Sequence, residues 1–146
     1  MQLAQVNVAQ LRAPLDAPEL QSFVAVFDPV GRLADASPGF VWRMVGSHGL
    51  PVVQDGRFVT VSVWQDYASL HAFVYRSAHG GLLARRATWF LPPDGPTTAL
   101  WWVVDGGRPS AEKARARLDH LRAHGPSPQA FDQRRRFDSA GHPVRR

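Results

Sequence analysis

Phe58-Val59-Thr60-Val61-Ser62-Val63-Trp64 alternates without a break. Val59, Val61 and Val63 make one branched apolar face, and Phe58, Thr60, Ser62 and Trp64 make the other. That period of two predicts a β-strand with two unlike faces. Asp66 follows directly as a helix N-cap, and Leu70, Phe73, Val74 and Ala78 recur at helical spacing.

Upstream, Gly46 to Gly56 is rich in turn formers and joins this strand to another over Phe40–Val45, predicting an antiparallel hairpin. In Phe40–Val45, Phe40, Trp42 and Met44 share one face. The first segment, Gln2 to Leu11, sets Leu3, Val6, Val8 and Leu11 among Gln and Asn and reads as a half-buried strand. Asp16 ahead of Pro18 starts a helix carrying Leu20, Phe23, Val24 and Phe27, which Pro29 interrupts or bends.

Downstream, the helix after Asp66 is expected to continue through Leu82 and Leu83 to Phe90. Gly80-Gly81 weakens it there by roughly 1 kcal/mol per glycine and predicts a kink. Pro92-Pro93-Asp94-Gly95-Pro96 is a loop. Ala99 to Val104 is a continuous apolar run, expected as a central strand buried on both faces. Ser110 caps a last helix with Ala111, Ala114, Leu118 and Leu121, stopped by Gly125-Pro126.

The order is β-α-β-β-α-β followed by a helix, an α+β fold of the ferredoxin-like type with an extra C-terminal helix. Two helices cover one sheet face. The other, also apolar, then asks for a partner, which predicts a homodimer assembled as a dimeric α+β barrel unless the last helix covers it. Trp101 and Trp102 must point to opposite faces, one into the helix-covered core and one toward the partner, with Trp42 and Trp64 joining the latter. The domain is assigned to residues 1–137, and residues 138–146 are expected as a disordered basic tail.

The chain of 146 residues suits one domain. It has no cysteine, which excludes disulfides, thiolate catalysis and cysteine metal sites. Neither a signal peptide nor a membrane span is read, so a cytoplasmic protein is expected. The net charge of +5 is uneven: residues 1–107 hold 7 basic and 8 acidic side chains, whereas residues 108–146 hold 10 and 4. A solvated arginine-rich tail accounts for this better than a nucleic-acid arm.

At 100° per residue, Tyr75, His79, Leu82, Arg86 and Trp89 fall within about 40° of one line on a continuous helix. If that stripe faces a cavity, His79 can ligate a metal or haem iron or accept a proton. Tyr75 or Arg86 can then orient a substrate or pair with a carboxylate. Packing along a solvent-grazing edge is the open alternative. His48, His71, and the i, i+4 pair His120 and His124 read as exposed polar residues, because no HExxH glutamate accompanies the pair.

Four blocks carry a family resemblance: Phe73-Val74-Tyr75-Arg76-Ser77-Ala78-His79, Trp89-Phe90, Ala99-Leu100-Trp101-Trp102-Val103, and Gly125-Pro126-Ser127-Pro128-Gln129-Ala130-Phe131. Together they resemble the bacterial family known as domain of unknown function 3291, of the dimeric α+β barrel superfamily that includes antibiotic-biosynthesis monooxygenases. Phe73-x-Tyr75-Arg76 with His79 and Trp89 is also similar to a block in the spheroidene monooxygenase type of enzyme. That narrower resemblance implies His79 as axial haem ligand, Tyr75 and Arg86 lining the pocket, and Arg76 and Trp89 beside the cofactor. Gly80-Gly81 departs from the pattern. The resemblance implies a monooxygenase-like enzyme acting on a hydrophobic or aromatic small molecule, with haem as a candidate cofactor. A non-catalytic small-molecule or haem binding protein is the alternative.

Overall fold

The computed structural model describes residues 1–79 and 85–145, apart from the side chains of Ala78 and His79. Strand β1 spans Gln2–Gln10 and is followed by a 3-10 turn over Pro18–Leu20 and helix α1 over Gln21–Asp35. Then come β2 (Phe40–Arg43), β3 (Val52–Gln54) and β4 (Arg57–Trp64). Helices α2 (Tyr67–His79) and α3 (Arg86–Trp89), strand β5 (Thr98–Val103) and helix α4 (Ala111–His124) complete the chain. The sheet is antiparallel with the order β2-β4-β1-β5, and β3 pairs with β4 beside that path. This is the expected ferredoxin-like βαββαβ order with an added hairpin strand and an extra C-terminal helix.

The central pair fixes the faces. β1 and β4 run in register from Leu3 opposite Trp64 to Gln10 opposite Arg57, with Gln5 opposite Ser62 and Asn7 opposite Thr60. Val6, Val59, Val61 and Val63 therefore share one face, where Ala114, Leu118 and Leu121 of α4 pack on them. The opposite face carries Leu3, Trp64 and Leu100, which meet Ala34 of α1 and Leu70 and Phe73 of α2. At the far end Phe23, Phe58 and Trp89 meet in a third cluster, with Phe23 4.9 Å from Phe58 and 5.4 Å from Trp89 between ring centroids.

Several expectations are corrected. The sheet face expected to meet a second copy is covered by α4, so an exposed apolar face no longer argues for a homodimer. Trp101 lies under α4, whereas Trp102 on the other face donates its indole N–H to the Phe137 carbonyl of the C-terminal segment (2.8 Å), so neither is left for a partner; Trp42 joins the first group and Trp64 the second. Strand β5 is an edge strand, not a central one. It is nonetheless buried because Leu100 exchanges two backbone hydrogen bonds of 2.8 Å with Phe131, which closes the edge. The stretch expected as a plain loop before β4 contains β3. Helix α1 begins after the 3-10 turn, without a side-chain cap from Asp16, and runs through Pro29. Packing of Phe23 before the proline and Ala34 after it holds the two halves in one helix.

The predicted caps of the other helices are present. Asp66 Oδ1 accepts from the Ser69 backbone N–H (2.8 Å) and hydroxyl (2.7 Å), which holds its carboxyl below the usual aspartate range. Ser110 Oγ accepts from the Lys113 N–H, and Gly125 ends α4 at a φ of 75°. Residues 138–145, read from the sequence as a disordered tail, fold back instead. Asp138 Oδ1 accepts from the N–H groups of Ala140 and His142, Gly141 takes a φ of 88°, and the Val144 N–H reaches the Arg136 carbonyl.

Two substitutions test this packing. Gly39 has a φ of 80°, and a Cβ there would press on the Ser69 hydroxyl and lie 2.5 Å from Ser69 Cβ. Gly39→Ala is expected to cost more than about 1–3 kcal/mol, the backbone contribution alone, in urea unfolding; a change under about 0.5 kcal/mol would contradict the placement. Trp89 is 2% exposed and donates its indole N–H to Ser22 Oγ at 2.9 Å. Trp89→Ala should cost about 3–5 kcal/mol, and Trp89→Phe much less because it keeps a ring against Phe23. Equal, small losses for both would show that Trp89 is not a core residue.

Candidate functional site

Between the sheet and the α1–α2 layer lies a chamber of about 290 Å³. Its roof is apolar: Phe23, Phe27 and Val30 from α1, and Phe73 from α2. Trp89 and Phe90, at the end of α3, form one wall. The floor is different. Gln5 and Asn7 of β1 and Thr60 and Ser62 of β4 form a block of four polar side chains, framed by Ala9, Phe58 and Trp64. They share a face because alternate residues of each strand do, and they adjoin because the register sets Gln5 against Ser62 and Asn7 against Thr60.

The floor is internally wired. The Trp64 indole N–H donates to Ser62 Oγ (2.9 Å), and the Ser62 hydroxyl donates to Gln5 Oε1 (2.8 Å). Beside it the Thr98 hydroxyl lies 3.4 Å from Asn7 Oδ1. In both carboxamides the oxygen is the acceptor, so the NH₂ group of each is what it offers a guest. Arg43 stands at the β2 side of the chamber with its guanidinium forked onto Asp35 (2.8 and 3.2 Å). Gly31 leaves room for that fork, since a Cβ there would come within 2.6–2.8 Å of the guanidinium atoms.

The structure separates the residues expected on one stripe. Helix α2 is described to His79 and α3 from Arg86, and the stretch that would join them into one stripe lies outside the described residues. Phe73 and Ser77 of α2 line the chamber. Tyr75, about 200° from each on the helix, is 59% exposed and is not part of the lining. Arg76 donates to Ser37 Oγ (2.8 Å), tying α2 to the end of α1. Arg86 and Trp89 do line the chamber. The His79 side chain and residues 80–84, including Leu82, lie outside the described residues.

Haem was the candidate cofactor, and proteins hold haem iron through His, Cys, Tyr or Met, the last alongside His. The described chamber residues include no His, Cys or Tyr, and Met44 is their one side chain of ligand type. The His79 side chain, the ligand that the resemblance implies, lies outside the described residues. No group of three or more metal-ligating side chains assembles among the described residues. His120 and His124 do meet, ring centroids 4.6 Å apart, on α4. Among the described residues no helix is long and apolar enough to cross a membrane.

The floor residues were not singled out from the sequence. Their signal was present: the same-face set of β4 is Thr60 and Ser62 between Phe58 and Trp64, and that of β1 is Gln5 and Asn7. Polar alternation normally marks a solvent face, and only the covering helices turn it into a chamber floor.

Comparison with solved structures finds the same fold. The chain is similar to NE2512, a protein of unknown function from Nitrosomonas europaea, with 18% identity and a TM-score of 0.53 over 75% of this chain and 95% of that one. It is also similar to SnoaB, a cofactor-independent oxygenase from Streptomyces nogalater, with 16% identity and a TM-score of 0.50 over 75% and 95%. At such identities the likeness concerns the fold, the α+β unit of dimeric α+β barrels expected from the sequence. No curated protein matches. The sequence itself matches a family description from residue 2 to residue 146, and the chain belongs to that family, Domain of unknown function (DUF3291).

Proposed function

We propose that this protein is an oxygenase-type enzyme for a hydrophobic, aromatic small molecule that carries an oxygen substituent. The observation that carries the reading is the chamber: apolar rings above, and the carboxamide donors of Gln5 and Asn7 on a wired polar floor below. Rings suit the roof by area and by edge and face contacts. The oxygen suits the floor, where fixed N–H donors stabilise a phenolate or enolate better than water does, because they are already oriented. SnoaB, which shares the fold, is a cofactor-independent oxygenase.

The chemistry balances without an added reductant. A polycyclic phenol with an open para position, oxidised by O₂ to a quinone and water, supplies every electron that O₂ takes up. The protein's share is to hold the ring dry, to stabilise the phenolate and to accept its proton, the last step being assigned in this reading to His79.

One observation favours a second reading, a binding module without turnover. Apart from the guanidinium groups of Arg43 and Arg86, the described lining contains no titratable side chain, so no general base faces the chamber among those residues.

Oxygen uptake with 1-naphthol separates the two. The enzyme reading expects consumption of O₂ matched by quinone, and a fall in kcat/KM of about a hundredfold for Gln5→Leu and for Asn7→Leu. Binding of 1-naphthol with no uptake above background would establish the module instead. No binding at all would remove the chamber as the site.

A further inference from the structure

A second pocket, of about 300 Å³, adjoins the chamber. Ala9, Arg86 and Phe90 line both. Its character is the reverse of the chamber's, because Arg57, Arg86, Arg115 and Arg122 converge on it against Asp94 and Asp119.

Pairing sorts the arginines. Arg122 is engaged by Asp94 Oδ1 at 3.2 Å and by the Pro96 carbonyl at 2.7 Å. Arg115 reaches Gln54 Oε1 at 3.2 Å and Asp55 at 3.8 Å. Among the described residues Arg57 has only the neutral Gln10 carboxamide, at a long 3.4 Å. For Arg86 no ion pair is present among the described residues, and Arg57 likewise has no carboxylate within 4.0 Å. Asp94 feels Arg57 only weakly; its carboxyl is held low first by the hydrogen bond from Arg122. Two guanidinium groups thus line one concave site without an acidic partner, and one of them also reaches the aromatic chamber. Such forks match a carboxylate in geometry and charge.

We propose that the two pockets form one bipartite site, in which Arg57 and Arg86 hold the carboxylate of an aromatic acid whose ring system lies in the chamber. This deepens the reading of the chamber as an aromatic site and rests on it. Arg86 is the residue at which the apolar and anionic halves join, so it sets specificity for acids over neutral analogues.

The test compares 2-naphthoate with its neutral counterpart 2-naphthamide, with binding followed by quenching of the chamber tryptophans Trp64 and Trp89. The wild-type protein is expected to bind naphthoate at least tenfold more tightly, and the preference should shrink with added salt. Arg86→Met and Arg57→Met should each reduce the preference severalfold, naphthoate affinity falling far more than naphthamide affinity; Arg108→Met, outside both pockets, should leave both affinities unchanged. If naphthamide binds and naphthoate binds no better, the anionic half is overturned and the chamber reading survives. If neither probe binds, both readings fall together. Equal loss of both probes in Arg86→Met would mean that Arg86 shapes the chamber and does not select the anion. A fold check by circular dichroism and a partial return of the preference in Arg86→Lys keep that outcome distinct from misfolding.

Discussion

The register between β1 and β4 is the constraint on which the remaining structure depends. It sets Leu3 against Trp64, Gln5 against Ser62, Asn7 against Thr60 and Ala9 against Phe58. Because side chains alternate across a strand, a slip of one residue would send each of these to the opposite face. The valines would then meet α1 and α2, and the four polar residues would be pressed against Leu118 and Leu121 of α4. Burying those amides and hydroxyls without partners costs about 1–3 kcal/mol apiece, so both faces select the same register. The polar floor of the chamber and the apolar bed of α4 are two results of one pairing.

That pairing also explains how the chamber stays open. Phe58 and Trp64 stand at the two ends of the polar block and carry the roof. Phe58 meets Phe23 and Phe27 of α1, and Trp64 stacks on Phe73 of α2, with centroids 4.9, 5.9 and 5.1 Å apart respectively. Between these two aromatic posts the short side chains of Thr60 and Ser62 leave room. The Trp64 indole N–H then orients Ser62, and Ser62 orients Gln5, so the same residue that supports the roof also sets the direction of a floor donor.

Much of the fold was legible in the chain. The unbroken alternation from Phe58 to Trp64, the Asp66 and Ser110 caps and the stop at Gly125 each have a local physical cause, and each stands where expected. What was not legible depends on distant partners. Nothing near Leu100 announces that Phe131 will close its edge, so a strand buried on both faces read as central. Asp138 gathers a turn from a stretch that looks solvated by composition alone. The candidate site was less legible than the fold. The stripe from Tyr75 to Trp89 assumes one helical phase across Gly80-Gly81, which lies outside the described residues; Tyr75 itself stands apart from the lining. Arg86 and Trp89 belong to the lining even so. Gln5, Asn7, Thr60 and Ser62 read as a wet face because a strand pattern records polarity and not what lies above it.

The most direct measurement is a crystal structure of the protein soaked with 1-naphthol. The account predicts the ring system between Phe73 and the Trp89–Phe90 wall, with its oxygen within about 3 Å of the Gln5 or Asn7 amide nitrogen. Naphthol bound elsewhere, or in the chamber with its oxygen turned away from both carboxamides, would contradict it.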